Sequence, residues 1–233
     1  MRKQSRFWCF CAFIMCALKL SAGDVAVFTD LGFSEDGKTY IFAQYGVEEA
    51  TLLPWAELCI VDVAANDFIR GGRVPYKHNL PIEAGQDGSG ALFRLIAQNA
   101  QLAGRYGVNF LRQGIPLYIS LENGHNPAGD RIEFRDFDHN TTYRAVLKPV
   151  QRGGGGNLSS SFVIQLERNT GTAASNYTIG TPDVRRSQIS SYTIKKVLIS
   201  RDRSSMVFVI EMTRQAGADD APDVRYMVET LRF

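Results

Sequence analysis

The chain has 233 residues, 26 of them Lys or Arg and 24 Asp or Glu, for a formal net charge of +2, with four cysteines and three histidines. A balance this near neutral lacks the clustered basic surface that nucleic-acid binding asks for, so no nucleic-acid partner is expected. The length suits one sizeable core.

Residues 1–22 read as a secretory signal peptide: a cationic start ("MRKQSR"), a short apolar run ("FWCFCAFIMCAL"), then "KLSA" before Gly23. The apolar run is shorter than the roughly 20 residues of a spanning helix, so no transmembrane segment is expected after cleavage behind Ala22. Loss of Arg2, Lys3, Arg6 and Lys19 turns the formal charge from +2 into −2, and Cys9, Cys11 and Cys16 leave as well. Cys59 then stands alone in residues 23–233, which are expected to form a single mainly β domain. An intramolecular disulfide is excluded and stability falls to the core. Cys59 lies in the strand-like "AELCIVDV" with no His or helix start beside it, so a buried, inert thiol is expected.

After the leader, "LGFSEDGKTYIFAQYGV" (31–47) sets two hydrophobic runs around a polar turn, and "AELCIVDV" (56–63) follows. Trp55, beside Pro54, is expected to close one end of a β-core; exposed, it would be a binding hot spot. In "SGALFRLIAQNAQLAGRYGV" (89–108) the period changes. Leu92, Leu95, Ile96, Leu102, Ala103 and Tyr106 recur at helical spacing, with Asp87 or Ser89 as cap and Gly104 or Gly107 near the stop. The spacing predicts one amphipathic helix near 90–106 whose apolar stripe docks on a sheet.

The remainder reads as strands: "IPLYISLEN" (115–123), "RIEFRDF" (131–137), "TYRAVLKPV" (142–150), "SFVIQLERN" (161–169), "SYTIKKVLIS" (191–200), "SMVFVIEMTR" (205–214) and "VRYMVETLRF" (224–233). "DFDHN" alternates Asp136, Asp138 and Asn140 like the start of a calcium loop. Thr141 stands where that loop needs Gly and Leu147 where it needs Glu, so a hairpin turn is expected and no metal. "QRGGGGNLSSS" (151–161) predicts a long mobile hairpin loop; no Gly-Lys-Ser/Thr ends it, which excludes a phosphate loop and leaves no cofactor motif. Gly153 and Gly154 there are candidate interaction positions. So are Asp219, Asp220 and Asp223 in "GADDAPD" (217–223), a solvated loop that a cation or basic partner could reach.

"SEDGKTYIF" (34–42) laid on "SRDRSSMVF" (200–208) keeps Ser, Asp and Phe in register. Turns of this grammar join strands in β-propeller blades, where the hydroxyl and carboxylate bond local backbone N–H groups. The expected fold is therefore mainly β, with antiparallel sheets in a propeller-like or sandwich-like arrangement and one packed helix.

"LGFSEDGKTYIFAQYGV", residues 54–56, "IVDVAANDFIRGGRVPYK" and the closing "VRYMVETLRF" resemble a bacterial family of predicted secreted proteins known only as a domain of unknown function. The resemblance implies export, and it brings no activity, ligand or catalytic residue.

His78, His125 and His139 are too far apart in sequence for a zinc motif, and no nucleophile-elbow Gly-x-Ser-x-Gly is present. No catalytic, cofactor or metal residue is assigned. The expected role is a non-catalytic binding or scaffold module, exported to the periplasm or beyond, with an envelope or periplasmic protein partner. A periplasmic hydrolase and a small outer-membrane barrel are the alternatives. The barrel draws on the terminal Phe233, but Glu229 would face lipid, and "MVFVI" is apolar on both faces as a buried strand would be.

Overall fold

The computed structural model describes residues 24–83, 85–121, 130–215 and 223–233; the leader, His125, Asp219 and Asp220 lie outside the described residues. Four consecutive strands, β1 (Val27–Phe33), β2 (Thr39–Glu48), β3 (Leu53–Asp62) and β4 (Asp67–Lys77), form a first antiparallel sheet in chain order. Helices α1 (Ser89–Gln98) and α2 (Ala100–Arg105) then lead to β5 (Ile115–Ile119). A middle sheet holds β6 (Arg131–Asp136), β7 (Thr141–Arg152), β8 (Ser159–Asn169), β9 (Ala174–Ile179) and the two-residue β10 (Arg186–Ser187). The third sheet runs β13-β12-β11-β5, where β11 is Ile189–Ile199, β12 Ser205–Arg214 and β13 Val224–Arg232. All strand pairings within these sheets are antiparallel, as expected. None of the sheets closes into a barrel.

Side-chain alternation shows how the sheets stack. In β12, Met206, Phe208 and Ile210 pack with Leu147, Phe162 and Ile164 of the middle sheet. Their neighbours Val207 and Val209 point the other way, onto Phe42, Cys59 and Val61 of the first sheet. The third sheet is thus central and buried on both faces, which is why "MVFVI" has no polar side. The opposite face of the first sheet carries Ile41, Ala43, Leu58 and Ile60, which receive Ala91, Leu92 and Leu95 of α1. The order of layers is helices, first sheet, central sheet, middle sheet. A sandwich-like description fits this stack.

The apolar stripe predicted for 90–106 docks on the first sheet, but as two short helices. Asn99 ends α1: its side-chain amide donates to Leu95 O (2.9 Å), and its own N–H is shared between Leu95 O and Ile96 O (both 3.1 Å). An Asn side chain that competes for backbone acceptors breaks a helix in this way. The N-cap position of α1 is Gly88, without a side-chain cap, so neither Asp87 nor Ser89 caps the helix; Asp87, just before it, accepts from the N–H and hydroxyl of Ser89 (3.1 and 2.6 Å), and Gly107, at φ +62°, follows the end of α2.

The two aligned turns have the same hydrogen-bond pattern. Ser34 Oγ donates to Asp36 Oδ1 (2.8 Å) and accepts from Thr39 N–H (2.9 Å); Asp36 Oδ1 also accepts from Lys38 N–H (3.1 Å). Ser200 Oγ donates to Asp202 and accepts from Ser205 N–H (3.0 Å), and Asp202 Oδ1 accepts from Ser204 N–H (3.2 Å). Gly37 and Arg203 hold the same left-handed position, at φ +67° and +60°. "DFDHN" is the expected hairpin turn, Asp136 pairing with Thr141 across it. The glycine-rich hairpin is tighter than expected. β7 and β8 pair as far as Arg152 and Ser159, and Gly153 makes the turn at φ +75°, where a Cβ would lie 2.5 Å from Asn157 O.

Candidate binding cleft

A cavity of about 990 Å³ opens where the three sheets meet. Its floor is the first-sheet face that bears Phe42, Gln44, Trp55, Glu57 and Cys59; β13 forms one wall, and Val184 and Arg186, with the connection from β9 to β10, form another. The floor residues share a face because side chains of a strand alternate: Trp55, Glu57 and Cys59 point into the cleft while Ala56, Leu58 and Ile60 pack under α1.

Polar side chains in the floor break an apolar surface, and each is matched. Gln44, buried in the middle of β2, donates to Glu57 Oε2 (3.1 Å) and accepts from Tyr226 N–H (2.8 Å). Glu57 Oε1 receives a two-pronged bond from Arg73, at 2.9 Å from Nε and 2.6 Å from Nη2. At the rim Asp24 holds Arg225 at 2.6 Å and accepts from the Trp55 indole N–H at 3.1 Å, while the Arg225 guanidinium lies 4.4 Å from the Trp55 ring centre. Lys77 meets Glu48 at 2.7 Å. An unmatched polar group here would cost on the order of 1–3 kcal/mol, so these pairings are a condition for placing charge in the cleft wall.

Glu229 is the most enclosed of the acids. It accepts from Asn66 Nδ2 (2.5 Å) and lies 3.8 Å from Arg186. Burial pushes its carboxyl above the usual range, and the Asn66 bond and Arg186 oppose that rise without cancelling it. Asn66 also accepts from Thr230 N–H (2.6 Å), so one side chain from the β3–β4 turn, at φ +52°, holds both the acid and the strand edge. Cys59 is buried in the floor, and burial followed by the Glu57 carboxylate pushes its thiol well up, as expected for an inert cysteine.

Of the positions singled out in the sequence, Trp55 lines the cleft, half-buried beneath Arg225. Asp223 stands just behind, accepting from Asp24 N–H (3.1 Å). Gly153 and Gly154 are exposed on the β7–β8 hairpin and are not among the residues that line the cleft. His78 contacts Leu80 through its ring nitrogen and meets the Tyr76 ring in a T-shaped contact; His139 lies 3.4 Å from Asp136, which Arg203 also holds. The cleft does not gather these two histidines. Sequence reading missed Asp24, Gln44, Asn66, Arg73, Arg186 and Arg225. The one legible signal was a polar residue interrupting an apolar strand face, as Gln44 does in "TYIFAQYGV".

Fold and site together define a layered β-protein with a cleft of mixed apolar and ion-paired lining at the edge of its central sheet. Residues 41–232 match the family described as Predicted secreted protein (DUF2259), and the chain belongs to that family. No curated protein and no solved structure matches it. Among the described residues no helix is long and apolar enough to cross a membrane.

Proposed function

We propose that the chain is an exported, non-catalytic binding module that uses the cleft to hold a protein of the cell envelope, in the periplasm or outside the cell. One observation carries this reading: each ionic group of the cleft described above is committed to a partner. Glu57 is held by Arg73, Glu48 by Lys77, Asp24 by Arg225 and Trp55, and Glu229 by Asn66. Groups locked in this way suit holding and orienting a ligand better than accepting and returning protons. The membership in a predicted secreted family supports export.

The test is mild cross-linking of the processed chain, residues 23–233, in its own envelope, with periplasm and medium fractionated in parallel. A reproducible partner is expected with the wild type and its loss with Arg73→Glu, a largely exposed cleft residue. Capture that ignores this substitution, or no partner at all, overturns the reading and makes a substrate screen the next step.

A further inference from the structure

β6 is an outer edge of the middle sheet: β7 lies on one side of it, and no strand among the described residues pairs with the other. The direction of its backbone groups follows from one bond. Leu147 N–H donates to Asp130 O (2.8 Å), in the register that sets Arg131 opposite Val146. Bonded and non-bonded pairs alternate along an antiparallel ladder, so Ile132, Phe134 and Asp136 bond to β7, while the N–H and C=O groups of Arg131, Glu133 and Arg135 point outward. Those outward groups have no backbone partner among the described residues.

Other edges of the molecule are guarded. Side chains of Gln44 and Asn66 cap β13, β5 carries Pro116, β4 carries Pro75, and β1 has a bulge between Asp30 and Gly32. Such devices keep a second chain from pairing with an edge. β6 has no proline and no register break over its six residues.

Its outer face bears charges that alternate in sign. Arg131, Glu133 and Arg135 are exposed there, while Ile132 and Phe134 are buried beneath. Across the sheet Arg144 stands opposite Glu133, and Glu167 opposite Arg144. Arg144 binds both acids, at 2.8 and 3.4 Å. This row of acid, base, acid stops at the edge on Glu133, whose side chain is 63% exposed. A further strand that offered a base at this position would continue the row.

A second copy of the same edge does so. Antiparallel pairing about a two-fold axis through Phe134 sets Glu133 opposite Arg135 of the second copy, and Arg135 opposite its Glu133. Arg131 then meets Phe137 of the second copy, a ring that is 84% exposed in the single chain. Both members of each Glu133–Arg135 pair have outward backbone groups, so each pair also exchanges two main-chain bonds. An axis through Glu133 would put that acid against itself, so the charges select the register centred on Phe134.

We propose that two copies of the chain join edge to edge at β6, about a two-fold axis through Phe134, so that the middle sheet continues from one copy into the other. A groove of about 610 Å³ beside this edge, with Leu117, Ile119, Phe134 and Phe137 in its lining, lies at the junction. The binding cleft is at the opposite edges, β13 and β10, so the dimer leaves both clefts open. This interface does not depend on what the cleft holds.

The test is sedimentation of the processed chain from about 1 to about 300 μM, because one pair of short strands is a small interface and a Kd of about 10–100 μM is expected. The wild type should pass from monomer to dimer over that range. Glu133→Arg and Arg135→Glu each place like charges opposite one another twice in a homodimer, so each variant alone should associate at least about tenfold more weakly, with circular dichroism unchanged. Mixed in equal amounts, the two variants regain both opposite-charge pairs and should dimerise as the wild type does. The double variant, whose net charge is unchanged, should also dimerise. A wild type that stays monomeric at the highest concentration, single variants that associate as it does, or a mixture that stays monomeric overturns the inference. If a variant does not fold, amide exchange of the wild type decides: the N–H groups of Glu133 and Arg135 should exchange more slowly at the concentrated end of the range, and equal exchange at both ends overturns the interface.

Discussion

Cys59 and Glu229 are two buried ionisable groups of the cleft with opposite consequences. The thiol of Cys59 is pushed up by burial and so stays protonated, and the thiolate is the reactive form. A thiol-specific chromogenic reagent is expected to leave the native chain unlabelled and to label Cys59 fully once denaturant is added; rapid labelling of the native chain would contradict this. Burial raises the Glu229 carboxyl above the ordinary glutamate range, so the folded state binds its proton more tightly than the unfolded chain. Its favourable contribution is complete below the unfolded value and is lost as pH rises through the folded pKa. Glu229→Gln removes that loss. Relative to wild type, the variant should gain thermal stability as pH rises above the usual glutamate range, and a difference in melting temperature that does not change with pH would refute the assignment. The burial of Cys59 could be read from its apolar strand, whereas the environment of Glu229 could not, because the groups that enclose it, Asn66 and Arg186, lie more than 40 residues away along the chain.

At the level of elements, the Ser-x-Asp turns show how far local sequence reaches. The alignment of 34–42 with 200–208 predicted a shared turn chemistry, and the same hydroxyl and carboxylate bonds occur in both. Each Ser makes two bonds that Ala cannot, so Ser34→Ala and Ser200→Ala should each cost about 1–2 kcal/mol, measured by urea unfolding. The turns also touch, Ser205 Oγ donating to Gly37 O at 2.8 Å, and the double variant is therefore expected to depart from additivity. That contact was not legible, since it joins residues 168 positions apart. The helix shows the same division. Its apolar stripe could be read from spacing, whereas the break at Asn99 depended on which acceptor the side-chain amide would choose.

For the whole molecule, stability depends on the central sheet because it takes part in two cores. Phe208, with no exposed surface, packs toward the middle sheet, and its neighbours Val207 and Val209 pack toward the first. Phe208→Ala should destabilise the chain by about 3–5 kcal/mol in equilibrium unfolding. Leu111→Ala, at a residue 84% exposed, should change it by no more than about 0.5 kcal/mol. Comparable effects of the two substitutions would mean that the layered order does not govern stability.

The sequence by itself determined the β class, most strand positions, the docked helical stripe, the hairpin at "DFDHN", the burial of Cys59 and the resemblance to a secreted family, since each depends on neighbours or on periodicity within one element. Only the tertiary structure decided that β11–β13 form a layer buried on both faces, and that Trp55 lines a cleft instead of simply closing a core. It also decided that Asp24, Gln44, Glu57, Asn66, Arg225 and Glu229 meet at one edge. The physical reason is that buried polar groups find their partners across sheets: Asp24 and Arg225 pair over 201 positions, Asn66 and Glu229 over 163. The spacing within a strand records which face a residue occupies, but not which sheet will cover that face.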